Sequence, residues 1–401
     1  PAFGPGLTTQ GFGIRTGAFE LDAGGNYILD GDGNRIPVIN YLDFDGNQRI
    51  GVDIENAVVR ILSFINLQGS FSYEMGPTYM VDIATGIPAN IGVLMDNLGL
   101  GGVLESITSF FGTQIDSDLG YIRQVEVDSK TFAGSGINAA IGIGAYDFSR
   151  PLAEQDFFGF VINDMDFAMG QFGMTLPTID GYDWPTFYSA TASAQEFGFK
   201  AGLSEIMEIS GQGITLNFHH STGWTFPVFE DFGPPVIDWE ATAAFAIADG
   251  QDIPAFGPGL TTQGFGIRTG AFELDAGGNY ILDGDGNRIP VINYLDFDGN
   301  QRIGVDIENA VVRILSFINL QGSFSYEMGP TYMVDIATGI PANIGVLMDN
   351  LGLGGVLESI TSFFGTQIDS DLGYIRQVEV DSKTFAGSGI NAAIGIGAYD
   401  F

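Results

Sequence analysis

The residues best placed to do chemistry are aspartates and asparagines spaced two apart. Asp43, Asp45 and Asn47 occupy positions one, three and five of an EF-hand-like loop; Arg49 would offer its carbonyl at seven, and Ile50 is the apolar residue expected at eight. A hard cation such as Ca²⁺ takes about six to eight oxygens, which alternate residues of a tight loop can converge. The match is incomplete. Position six is Gln48 rather than Gly and position twelve is Ile54 rather than Glu, so Asp53 or Glu55 would have to stand in. Asp30, Asp32 and Asn34 form a shorter version of the pattern. Both recur further along, as Asp283, Asp285 and Asn287, and as Asp296, Asp298 and Asn300 with Arg302 and Asp306. The expectation is Ca²⁺ held in loops of a β framework. The plainer alternative is a set of hairpin turns, for which Asp-Gly and Gly-Asn pairs supply the positive φ values.

Other chemistry is thin. His219 and His220 are the sole histidines, and neighbours on a strand point to opposite faces, so they cannot grip one metal together. Asp164 and Asp166 share a strand face in a two-residue alternation; paired carboxylates can serve glycoside hydrolysis, but no pocket signature accompanies them. There is no P-loop, no His-Glu-x-x-His and no Gly-x-Ser-x-Gly, and cysteine is absent, which removes thiol and Cys-metal chemistry. No enzyme activity is expected.

The elements carrying these residues repeat. Residues 254–401 reproduce 1–148 without a substitution, so the chain holds one complete 253-residue unit (1–253) and a partial second copy (254–401). The joint, ADGQDIPAFGPG, has no flexible linker, and units are expected to abut. One period carries 32 acidic against 8 basic residues, a charge of −24. That sign excludes a nucleic-acid footprint, which needs clustered Lys and Arg. Apolar residues make up 45% of the chain and aromatics 12%, enough for a core. The longest uncharged stretch, 209–229, is too polar to span a membrane.

Period-two alternation marks strands. In 59–73, Val59, Ile61, Ile65, Leu67, Phe71 and Tyr73 fall on one face. In 161–169, Val161, Met165, Phe167 and Met169 alternate with Asp164 and Asp166. In 214–219, Ile214, Leu216 and Phe218 alternate with Thr215, Asn217 and His219, and in 124–128 Val125 and Val127 alternate with Gln124, Glu126 and Asp128. Half-buried strands of this kind predict antiparallel sheets with one wet face. The small residues Ala190, Ala192 and Ala194 predict a place where a second layer approaches closely. Val103, Leu104, Ile107, Phe110 and Phe111 predict one short helix per repeat. The fold class is therefore all-β: an elongated array of long antiparallel strands, solenoid-like or a sandwich stack. Ten to twelve strands per period would give about 50–60 Å of length at about 4.8 Å per strand.

Three strand segments, INLQGSFSYE (65–74), FVINDMDFAMGQF (160–172) and SATASAQEFGF (189–199) followed by LSEIMEISGQGITLNF (203–218), resemble repeats of giant bacterial surface proteins. The resemblance spans 65–75 and 133–220 of a period, and it lacks the GGxGxD nonapeptides of RTX adhesins. It implies a long, acidic, often Ca²⁺-associated chain at the cell surface or outside the cell. The expected role is structural: a filament, sheath or adhesive stalk, with neighbouring repeats and fibre-forming self-association as its partners. The alternative is a repeated adhesin module that captures carbohydrate or protein through aromatics such as Tyr182, Trp184 and Trp224.

Overall fold

The computed structural model describes residues 6–42, 48–87, 115, 120–176, 183–201, 207–223, 234–248, 259–340, 350–351 and 373–395, apart from a few isolated positions within these ranges. The chain divides into two compact units, Pro1–Gln48 and Arg49–Phe401.

The first unit is a three-stranded antiparallel sheet of β1 (Gly6–Thr8), β2 (Gly11–Phe19) and β3 (Pro37–Leu42). Between β2 and β3 the chain folds through two tight turns, bridged at Leu21–Tyr27 and Leu29–Arg35.

The second unit is built on long strands: β4 (Ile50–Ile61), β5 (Ile65–Ala84), β6 (Tyr121–Ile143), β7 (Phe158–Met174), β8 (Thr186–Ala201) and β9 (Met207–Ser221). A short strand β10 (Val236–Asp238) runs into a helix, α1 (Trp239–Ala248). The second copy then supplies a small sheet of β11 (Gly259–Thr261), β12 (Gly264–Phe272) and β13 (Pro290–Leu295), followed by β14 (Arg302–Ile314), β15 (Ile318–Ala337) and β16 (Tyr374–Ile394). The long strands make one antiparallel sheet in the order β5-β6-β7-β8-β9-β14-β15-β16, with β4 and β10 both pairing β5 at different points along it. The fold is all-β with a large antiparallel sheet, as the alternation predicts.

The run read as one strand across 59–73 is two. The chain reverses between Ile61 and Ile65, which pair with each other. The helix expected at 103–111 lies outside the described residues. The observed helix, α1, is Ala-rich, with no concentration of apolar residues on one face, and so lacks the stripe by which helices are recognised. Its start is set by Asp238, whose Oδ1 accepts the Ala241 N–H at 2.7 Å while Oδ2 accepts the Tyr121 hydroxyl at 2.9 Å.

A line of irregular positions crosses the sheet and decides which side chains face inward. Asn56, Gly69, Gly136, Asp164 and Gly213 have positive φ and fall at matching points of β4, β5, β6, β7 and β9, with Gln195 of β8 between the last two. The register shifts, as at a bulge, between β4 and β5, β5 and β6, and β6 and β7, and runs without a shift from β7 to β14; along β7 and β8 the buried positions change parity across this line. In β7 the buried positions are Gly159 and Val161 before Asp164, but Ala168, Gly170 and Phe172 after it. In β8 they are Phe187 and Ser189, then Glu196, Gly198 and Lys200.

The alternation in 161–169 therefore does not describe one face, and Met169 is exposed. Asp164 and Asp166 serve the bulges: Asp166 Oδ1 accepts the Gly136 N–H at 3.0 Å, and the Asp164 N–H donates to Asn138 Oδ1 at 3.1 Å. In 214–219 Ile214 is buried as its alternation suggests, but beyond it the assignment is inverted, since His219 is buried while Leu216 and Phe218 are exposed. Only 124–128 reads as its sequence suggests, with Val125 and Val127 buried and Glu126 and Asp128 exposed. The inward face carries Ser70, Ser72, Ser189, His219 and Ser221 among its apolar residues, and the outward face carries Tyr73, Met169, Leu216 and Phe218. The wet face expected of this sheet is thus substantially apolar.

A second, smaller core lies where residues 146–157 fold over β6–β8: Leu152, Phe157, Ala140 and Val161, flanked by Tyr146 and Phe148. Two buried charges tie this flap down. Glu196 accepts the Leu152 N–H at 3.1 Å and the Tyr146 hydroxyl at 3.3 Å, and Lys200 Nζ donates to the Gln155 carbonyl at 2.5 Å. Burial and the Glu196 carboxylate push the Tyr146 hydroxyl far above the ordinary tyrosine range.

Asp238→Ala removes the helix cap and the acceptor for Tyr121 together. It is expected to lower the stability of the full chain by about 1–2 kcal/mol, read as a loss of midpoint in urea unfolding followed by circular dichroism.

Candidate functional site

The site with the most built-in detail is the seat of the second copy's first 61 residues on the first copy's sheet. Its anchors are side chains of β12 and β13 and the loop after them. Phe265, Ile267 and Leu295 are 1%, 4% and 0% exposed, and Phe297 is also buried. Phe265 packs edge-on to Tyr79 (4.8 Å) and Phe172 (5.5 Å) and lies against Trp239 (4.7 Å). Asn293 Nδ2 reaches the carbonyls of Phe167 (3.0 Å) and Gly134 (3.3 Å), fixing β13 over β6 and β7. Gly270, at φ +82°, sits so close to β5 that a Cβ there would lie 2.2 Å from the Phe71 carbonyl oxygen. No other residue type fits both that φ and that approach.

Charges ring this seat. Arg268 pairs with Asp53 at 3.0 Å, and the other oxygen of Asp53 takes the Ser72 hydroxyl at 2.5 Å. Glu55 receives the Tyr280 hydroxyl at 2.9 Å and the Arg288 guanidinium at 3.4 Å. Partly exposed ion pairs contribute about 0–1 kcal/mol each. Burying four large apolar side chains contributes about 1.5–3 kcal/mol apiece. The rings and aliphatic chains therefore hold the segment, and the ion pairs set its position.

Beneath Phe297 lies a closed polar network. His219 stacks on the Phe297 ring at 4.6 Å. Its Nε2 must donate to the Ile237 carbonyl (2.8 Å), because a carbonyl only accepts, so Nδ1 accepts from the Ser189 hydroxyl (2.8 Å). Ser189 Oγ in turn receives the Trp239 indole N–H at 3.0 Å. Burial pushes the His219 pKa down to about 3, holding the ring neutral. The alternation in 214–219 assigns His219 to the wet face of its strand; it is a fully satisfied core residue at the seat. His220, its neighbour on the strand, bonds Gln301 Oε1 at 2.9 Å.

From the seat the chain enters β14, which adds to β9. The register runs unbroken from Arg302↔His219 to Ile314↔Met207. On its other side β14 pairs β15, as β4 pairs β5.

The predicted cation residues are scattered over this framework. Asp30 closes its own turn: Oδ1 accepts the backbone N–H groups of Asp32 (3.0 Å) and Asn34 (2.8 Å), which hold its carboxyl below the usual range. Asp283 does the same for Asn287 at 2.8 Å. Asp22 and Asp275 make equivalent turns with Asn26 and Asn279. Asp43, Asp45, Asn47 and Asp285 lie outside the described residues. In the second copy, Asp298 Oδ1 accepts the Asn300 N–H at 3.2 Å, while Arg302 and Asp306 already belong to β14. Arg49 and Arg302 reach across to Glu74 and Glu327, each at 3.1 Å. Among the described residues no three His, Asp or Glu side chains converge as a metal group. Of the aromatics, Trp184 packs against the main core, and Tyr182 and Trp224 lie outside the described residues.

No known family, curated protein or solved structure matches this chain. No helix among the described residues is long and apolar enough to cross a membrane.

Two predictions follow from this geometry. The unfolded histidine titrates near 6.5 and the folded one near 3, so below about pH 6.5 the unfolded state binds the extra proton and stability falls as pH falls. The slope approaches about 1.4 kcal/mol per pH unit. Between about pH 6.5 and 5, above the ordinary carboxylate range, the melting temperature of the wild type should drop, and that of His219→Gln should drop less. Separately, Ile267→Ala should cost about 2–4 kcal/mol, while Ile14→Ala, the same position of the first copy, should stay within about 0.5 kcal/mol; chemical denaturation of both variants reads the difference.

Proposed function

We propose that this chain is a segment of a giant extracellular or cell-surface repeat protein that forms a filament, sheath or adhesive stalk through a sheet running from one period into the next. The observation that carries the reading is the addition of β14 to β9. The first long strand of the second period extends the sheet of the first. The resemblance of 65–75 and 133–220 to giant bacterial surface repeats supports the same reading. The exposed apolar outer face adds to it, because soluble monomers rarely leave large contiguous apolar patches in water.

In this reading each period advances the sheet by six strands, β4 to β9, before β14 restarts the set. At about 4.8 Å per strand that is about 29 Å. The length of about 50–60 Å expected from ten to twelve strands per period is longer, because the strands of the small sheets lie off the path of the long ones.

Calcium belongs to this proposal as a stiffener of the Asp43–Asn47 loop and its copy at Asp296–Asn300. Microscopy of the native assembly should show a continuous fibre with an axial spacing near 29 Å, and isolated compact particles would end the filament reading. Calorimetric titration of the chain with Ca²⁺ should release or take up heat and raise the melting temperature. A silent titration removes the cation and leaves the filament reading in place.

A further inference from the structure

The half of the sheet that carries the 146–157 flap turns its charges toward the covered side. Glu196 and Lys200 are buried there, and Glu208 pairs with Arg313 at 3.2 Å. Lys200, Glu208 and Arg313 lie opposite one another in register. The alternate positions of the same strands point the other way and are apolar. One row runs from Ile65 of β5 through Ile141, Phe160, Phe199 and Ile209 to Leu320 of β15. None of the described residues two places before or after these is charged. Ile141, Phe160 and Ile209, with Ile143, Phe158 and Phe197 beside them, are 41–67% exposed. The rings of Phe160 and Phe199 meet at 4.5 Å, so the row is a continuous surface rather than a set of separate side chains. Each of β6 to β9 has a strand on both sides, so what lies open is a face and not an edge.

We propose that this face pairs with the same face of a second copy of the chain, as two sheets laid back to back. The proposal goes beyond the filament reading, which continues the sheet along one chain, whereas this contact joins chains side by side. Two observations choose the occupant. The first is charge. The chain carries −35, so two copies repel wherever their acidic surfaces meet. The described residues of this face bring no charged side chain into the contact. The same acidity works against an anionic lipid surface as the cover. The second observation is area. Seven strands, β5 to β9 with β14 and β15, span about 34 Å at about 4.8 Å each, and three rows two residues apart cover about 20 Å. That is about 700 Å² per copy and about 1,400 Å² for the pair, within the roughly 1,200–2,000 Å² of a stable interface. Aligned sheets pack about 10 Å apart with their side chains interdigitated. A contact between two identical faces is isologous, so it closes at a dimer.

Sedimentation velocity of the full chain over a concentration series should show a dimer that dissociates on dilution. Phe160→Glu places two carboxylates in the dry contact and should raise the dissociation constant at least about 100-fold, with the circular dichroism spectrum unchanged. Phe160→Leu keeps the face apolar and should retain the dimer. If Phe160→Glu does not fold, Ile143→Glu, at the end of β6 on the same face, makes the same test. A wild type that stays monomeric at every concentration overturns the proposal. A Phe160→Glu dimer as tight as the wild type's also overturns it, as does loss of the dimer in Phe160→Leu. A monomer that floats with neutral phosphatidylcholine vesicles overturns it in favour of lipid. The axial spacing of the native assembly is a separate measurement by microscopy, so the pairing and the filament reading fail independently.

Discussion

The structure of the larger unit depends on one contact, the seating of Phe265 and Phe297 in a hollow between β5, β7, β9 and α1. A long sheet of this kind has two faces and cannot bury either by itself. Here a segment from the following period supplies the cover. Phe265 completes an aromatic cluster with Tyr79, Phe172 and Trp239, and Phe297 closes the lid on His219. The network below it, from Trp239 through Ser189 and His219 to Ile237, has a donor for every acceptor it presents. That is why a histidine can be buried and neutral there at little cost.

The consequence is that the sheet of the first copy is covered by residues of the second: Phe265, Ile267, Leu295 and Phe297 share one core with Trp239 and Ala243 of α1. The charge of −24 per period makes the apolar anchoring necessary, since like-charged units repel unless burial and local ion pairs offset the repulsion.

Much of this was legible in the sequence, and the failures have physical causes. Strand content, antiparallel pairing and turn chemistry at Asp22–Asn26 and Asp30–Asn34 all follow from local rules. Facing was not legible. Asp164 and Gly136 invert the parity of their strands, so a two-residue alternation read across them assigns half the residues to the wrong side. Asp53 drew notice as a cation ligand, but its carboxylate is engaged by Arg268, a residue 215 positions away along the chain. The helix α1 has no amphipathic stripe for periodicity to find; Asp238 followed by an Ala-rich run was the available signal.

The sequence by itself determined the period, the acidic charge, the strand class and the turns, because each of these is written in residue types and short spacings. The tertiary structure decided burial. Ile14 and Ile267 share their sequence neighbours, their strand and their turn chemistry, and one is exposed while the other is buried. Burial belongs to what packs against a residue, and for this repeat that neighbour comes from another period.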